Sequence, residues 1–149
     1  MTVRVQTADF DVGAEIDALR AGRLQVGAVV TFVGTVRDIN EGAGIETMTL
    51  EHYPGMTERA LEDICAQARG RWDIDDTLVI HRHGPLDPGD RIVLVAVTSA
   101  HRGEAFRACE FIIDYLKTQA PFWKKEATPH GERWVDAREA DDDAAARWG

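Results

Sequence analysis

Four cationic side chains and a histidine are spaced in this chain so that one helix and the segment after it can gather them. In Ser99 to Glu126, SAHRGEAFRACEFIIDYLKTQAPFWKKE, His101 and Arg102 stand at the mouth of a helix and Lys117 near its end. Lys124, Lys125 and Glu126 follow Ala120-Pro121. A helix N-terminus offers free N–H groups and a dipole to anions, and arginine adds a bidentate grip suited to phosphate. A lysine in the last turn is ordinarily a solvated residue that the dipole favours. Crowding by Lys124 and Lys125 argues for more, since neighbouring ammonium groups disfavour one another's charge and bring a lysine toward acid–base or nucleophilic use. Arg37, alone at the end of an apolar run before a glycine-containing segment, is a further candidate.

These groups need elements to hold them. From Glu104 to Leu116 the residues Ala105, Phe106, Cys109, Ile112, Ile113 and Leu116 recur at spacings of three and four, the buried stripe of a helix. Lys117 falls at the edge of that stripe. Pro121 disfavours helix in Ala120, so the chain should stop there and return Lys124, Lys125 and Glu126 beside Lys117. Phe122 and Trp123 are expected to wall the resulting pocket.

Upstream, Thr2 to Gln6 reads as a strand, and Asp9 or Asp11 caps a short helix that buries Val12, Ile16 and Leu19. Leu24 to Val36 is apolar on both faces and is expected to be a central strand, with Gly27 and Gly34 marking a bulge or a close backbone approach. Asp38 to Gly44 reads as a mobile loop over its end. Glu46 to Tyr53 alternates as a half-buried strand, and Thr57 caps a helix from Glu58 to Arg71. Thr77 to His83 and Arg91 to Ser99 read as a hairpin turned by Pro88-Gly89, and Glu132 to Asp136 as a last short strand. The order β-α-β-β-α-β-β-α-β predicts one α+β domain over residues 1–149 with largely antiparallel strands. Residues 138–149 form an acidic, alanine-rich tail with two readings open, a helix of its own or a segment ordered by a partner.

Composition narrows the function. With 149 residues, 44% of them hydrophobic, the chain can build one real core. Its apolar runs are too short to span a bilayer, and acids occupy the first 20 residues where a signal peptide needs an apolar block, so a cytoplasmic protein is expected. A net charge of −9 argues against nucleic acid, whereas a basic pocket on an acidic body suits a small anion. No glycine fingerprint for a dinucleotide or a P-loop follows any strand, and no cofactor is implied. His81 and His83 form an H-x-H pair, but no third ligand is placed by sequence, so no metal site is assigned. Cys65 and Cys109 lie on helical apolar stripes and read as core thiols rather than nucleophiles.

Five stretches together resemble one family. FVGTVR at Phe32 to Arg37, LEHYPGM at Leu50 to Met56, VIHRHG at Val79 to Gly84, SAHR at Ser99 to Arg102 and DYLKTQAPFWKKE at Asp114 to Glu126 are similar to the large, catalytic subunits of molybdopterin synthases. The likeness runs from Val3 to Trp148. It implies an α/β hammerhead fold with an added small antiparallel sheet. It also implies a sulfurtransferase that converts cyclic pyranopterin monophosphate, or precursor Z, to molybdopterin by installing a dithiolene. The sulfur would come from the C-terminal Gly-Gly thiocarboxylate of a small ubiquitin-like subunit, with two large subunits dimerised at the centre of a heterotetramer. Carried over by motif, the substrate-contacting positions are Thr35, Val36, Arg37, His101, Arg102, Lys117, Lys124, Lys125 and Glu126, with Lys117 and Lys124 in catalysis. Arg138 is implied to reach a neighbouring protomer's pocket. An enzyme moving sulfur without a reactive cysteine of its own needs an external donor, which agrees with the core reading of both cysteines. Two rivals stay in view: a non-catalytic adaptor for a ubiquitin-like tail, and a phosphate-ester hydrolase using the same cations.

Overall fold

Two β-branched runs are apolar on both faces, and they occupy the middle of the fold. A computed structural model of the chain describes residues 1–40, 43, 44, 46–135 and 139–149. Its elements are β1 (Thr2–Gln6), α1 (Val12–Arg20), β2 (Ala28–Thr35), β3 (Ile39–Asn40), β4 (Ala43–Gly44), β5 (Thr47–His52) and α2 (Met56–Arg71), then β6 (Asp76–Arg82), β7 (Gly84–Leu86), β8 (Arg91–Ser99), α3 (Arg102–Gln119), β9 (Phe122–Thr128), β10 (Gly131–Val135) and α4 (Glu139–Ala146). The first sheet runs β1-β6-β8-β2 and the second β10-β9-β5-β7, with β3 and β4 paired separately. Only the β1–β6 pair of these is parallel. This is the expected α+β class with mainly antiparallel pairing.

Strand periodicity divides the core into two layers. Val79, Val93, Val95 and Val97 point to α2 and α3 and join Leu61, Ile64, Ala108, Phe111 and Ile112. Their neighbours Leu78, Ile80, Leu94 and Ala96 point the other way, against Phe10 and Leu19 of the α1 side. Asp11 caps α1 by accepting from the Ala14 N–H at 3.0 Å. On α3 the buried stripe is Ala105, Ala108, Cys109, Phe111, Ile112 and Leu116, while Phe106 is 59% exposed and Ile113 only half-buried.

Several expectations need correction. The strand from Leu24 to Val36 was expected at the centre, but β2 is a sheet edge and starts only at Ala28. Leu24 is almost fully exposed, and β2 is half-buried because α3 covers one of its faces, whereas β6 and β8 are covered on both. Gly34 stands where the β2–β8 register slips, and a Cβ there would approach Val93 Cγ1 to 2.8 Å. The β6–β8 hairpin forms, but its connection is more than a turn. Gly84 takes φ +86° and redirects residues 84–86 into the second sheet, where β7 pairs with β5. Helix α2 starts earlier than expected, capped at Gly55, whose N–H donates to the Glu58 carboxylate at 2.8 Å. Thr57 lies in its first turn, accepting from the Tyr53 N–H and donating to the Pro121 carbonyl.

The tail docks on its own chain. Trp148 packs edge-on against Trp72 and Phe111 and donates its indole N–H to Asp114 at 2.7 Å, and Arg147 pairs with Glu110 and Asp114. Residues 136–138 lie outside the described residues, so the expectations for Asp136 as a strand end and for Arg138 have no structural counterpart. Part of the Asp38 to Gly44 segment, residues 41 and 42, lies outside them as well, while residues 39–40 and 43–44 pair as strands.

Candidate active site

One cavity of about 320 Å³ opens where the C-terminal end of α3 meets the second sheet and the end of β2. A volume of that size suits a small-molecule site. The Pro121 break brings the chain back as β9, antiparallel to β5. Side chains on a strand alternate faces, so Phe122, Lys124 and Glu126 share one face with their cross-strand partners His52, Leu50 and Met48. That face lines the cavity, with Lys117 and Leu116 from α3 and Thr35, Val36 and Arg37 from the end of β2. Asp141 of α4 adds an acid at the rim.

The same alternation removes Lys125. It was expected beside Lys117, but it points to the opposite face, 3.1 Å from the Glu132 carboxylate and over the Trp134 ring. Trp123 follows it there, 42% exposed and edge-on to Tyr53, so Phe122 alone of the aromatic pair walls the pocket. Glu126 is 2% exposed, and its Oε1 accepts from Arg133 across the β9–β10 pair at 3.1 Å. Such burial of a carboxylate is tolerable because the guanidinium offsets its charge.

His101 and Arg102 do not join this cavity within one chain. Arg102 opens α3 and Lys117 is its sixteenth residue, so they stand about 22 Å apart along the axis. Both are exposed at the helix mouth, where the His101 N–H donates to Ser99 Oγ and the imidazole makes no cap bond. The sequence placed both ends of the helix in one hollow; the length of the helix forbids it in a single chain.

The histidines separate as well. His81 lines the cavity and stacks on Phe122 with centroids 3.7 Å apart, whereas His83 packs against His52. Burial first, then the nearby Lys117 and Lys124, holds the His81 imidazole down at about 3. Among the described residues no group of three His, Cys, Asp or Glu side chains is arranged for a metal. In the sequence His81 stands out only as half of a metal motif; its place beside the lysines follows from its stack on Phe122 of the other sheet, which no local spacing encodes.

The family model described as "MoaE protein" matches residues 5–119. The chain belongs to the MoaE family. A molybdopterin synthase catalytic subunit from Ralstonia nicotianae is 69% identical over 148 residues, which are 99% of this chain and 84% of that relative. The solved molybdopterin biosynthesis MoaE protein from Burkholderia ambifaria superimposes with a TM-score of 0.84 at 60% identity, covering 100% of this chain and 99% of that one. A molybdopterin synthase from Staphylococcus aureus gives 0.82 at 34% identity, covering 89% of this chain and 96% of that one. Family membership thus agrees with the five motifs and with the two-sheet fold.

Neither cysteine of this MoaE-family chain faces the cavity. Cys65 and Cys109 are buried, and burial pushes the Cys109 thiol up to about 12 and the Cys65 thiol upward as well. A thiol held protonated is a poor nucleophile. Iodoacetamide should therefore modify the folded protein on the order of a hundredfold more slowly than the urea-unfolded chain. Fast labelling of the folded form would show a reactive thiol and reopen a cysteine relay.

Proposed function

We propose that this chain is the catalytic subunit of a molybdopterin synthase. In this role it converts cyclic pyranopterin monophosphate to molybdopterin with sulfur from the C-terminal thiocarboxylate of a small ubiquitin-like carrier. The observation that carries the assignment is the cavity that joins Lys117, Lys124 and Arg37 to the apolar walls of Leu50 and Phe122. Cations attract and orient both the cyclic phosphate and the thiocarboxylate, and the walls pack a flat ring. Both thiols are buried, which agrees with sulfur arriving from a second protein.

The carrier's sulfur attacks a carbon of the pterin side chain, and a C–S bond forms as the C–O bond to the cyclic phosphate breaks. The oxygen leaves on phosphorus, and its new charge is met by Lys117 and Lys124, with Arg37 gripping the phosphate. Water then cleaves the acyl–sulfur bond, leaving sulfur on the pterin and a carboxylate on the carrier. A second thiocarboxylate displaces the oxygen of the neighbouring hydrated carbonyl carbon, which leaves as water. A second hydrolysis followed by enolisation gives the dithiolene, with no oxidant or reductant needed. Lys117 orients the incoming thiocarboxylate and carries protons between these steps. Among the described residues no helix is long and apolar enough to cross a membrane, which is compatible with work in the cytoplasm on a diffusible substrate.

His101 and Arg102 enter the scheme through a second copy of the chain. The outer edge of β2 carries no further strand among the described residues, and Phe106 is exposed near the start of α3. These surfaces are available to a homodimer at the centre of a heterotetramer. The deciding experiment supplies thiocarboxylated carrier and cyclic pyranopterin monophosphate and follows the pterin by mass spectrometry. Gain of two sulfurs is expected. Carrier binding without pterin conversion would indicate an adaptor, and phosphate release without carrier a hydrolase.

A further inference from the structure

One cavity-lining side chain has no task in the chemistry above. His81 is 5% exposed, and two contacts fix its ring: the stack on Phe122, tilted by 18°, and Nδ1 lying 2.8 Å from the Arg82 carbonyl. A carbonyl only accepts, so Nδ1 carries the proton and Nε2 keeps its lone pair. Among the described residues Nε2 has no hydrogen-bond partner. Burial and the two lysines keep the ring neutral, so Nε2 is an acceptor and not a donor. Of the charged groups around it, Lys117, Lys124 and Arg37 bring donors, the buried carboxylate of Glu126 is engaged by Arg133, and the acid of Asp141 stands at the rim. Nε2 thus offers an acceptor held on the inner wall.

A pterin has two recognition needs that these groups divide between them. Its phosphate needs donors, which the cations supply. The N–H groups on its ring edge need an acceptor, since an enclosed N–H left unpaired loses its hydration without return. Resting on the synthase assignment, we propose that His81 is a substrate-orienting residue whose Nε2 accepts a hydrogen bond from a ring-edge N–H of the bound pterin. Phe122 then serves twice, as a wall for the ligand and as the plate that holds the imidazole in plane.

Two amide substitutions separate this role from a structural one. His81→Asn places its amide near the Nδ1 position, keeping a donor for the Arg82 carbonyl and removing the acceptor at Nε2. His81→Gln reaches the Nε2 position and restores an acceptor there, but loses the Nδ1 donor. Titration calorimetry of the full chain with cyclic pyranopterin monophosphate, and separately with inorganic phosphate, reads both losses without any sulfur donor. His81→Asn is expected to weaken pterin binding about tenfold and leave phosphate binding unchanged, with His81→Gln within about threefold of wild type. Wild-type pterin affinity in His81→Asn, a weaker His81→Gln than His81→Asn, or equal loss of pterin and phosphate in His81→Asn overturns the proposal. Selective loss of pterin binding in His81→Asn, in a protein that forms no dithiolene with the carrier, supports the His81 role and removes only the synthase assignment.

Discussion

Lys117→Ala is expected to lower dithiolene formation about a hundredfold in single turnover with thiocarboxylated carrier, equivalent to roughly 3 kcal/mol of barrier. The size follows from where Lys117 sits. It is half-buried at the end of α3, faces the same cavity as Lys124 and Arg37, and lies close enough to His81 to depress that imidazole. A pre-organised ammonium in such a place meets the charge that develops as the phosphate ring opens, where water would need to reorganise to do so. The alanine variant loses that donor and gains little elsewhere. Lys117→Arg keeps the charge but brings a planar fork in place of a compact ammonium, so it should recover only part of the rate. Carrier affinity measured alongside separates docking from chemistry. A hundredfold fall in rate at unchanged carrier affinity places Lys117 in the reaction, and a near-normal rate removes it.

Period and punctuation made much of this site legible in the sequence. The three-and-four spacing of α3 and its stop before Pro121 placed Lys117 at a helix end, and strand period two carries Lys124 and Glu126 to the same face. That same period sends Lys125 away, which convergence on charge alone overlooked. The expected stripe of α3 included Phe106 and omitted Phe111, because helical spacing admits neighbouring stripes and only the packing of Trp72 and Trp148 against Phe111 selects one. Apolar content on both faces made β2 look central; its edge position depends on which strands β8 pairs with, a long-range choice. Gly84 gave no sign that residues 84–86 cross to another sheet. The place of His81 beside the lysines likewise rests on a contact between the two sheets, its stack on Phe122.

Complementation between two inactive variants tests where His101 and Arg102 belong. Arg102→Ala alone should cost about as much as Lys117→Ala, because it removes a phosphate grip of the same kind. Helix α3 keeps the two residues about 22 Å apart in any one chain. If each active site takes Lys117 from one protomer and Arg102 from the other, a mixed dimer contains one site lacking both residues and one lacking neither. Random pairing in a two-fold dimer makes half the dimers mixed, each with one intact site, so co-expression of the two variants should restore about a quarter of wild-type activity. Sites built within single chains would leave every site of the mixture defective, and activity would stay at the level of the separate variants. Restoration therefore requires a shared site, and its absence would leave Arg102 acting away from the lysines, with no part in gripping the substrate they hold.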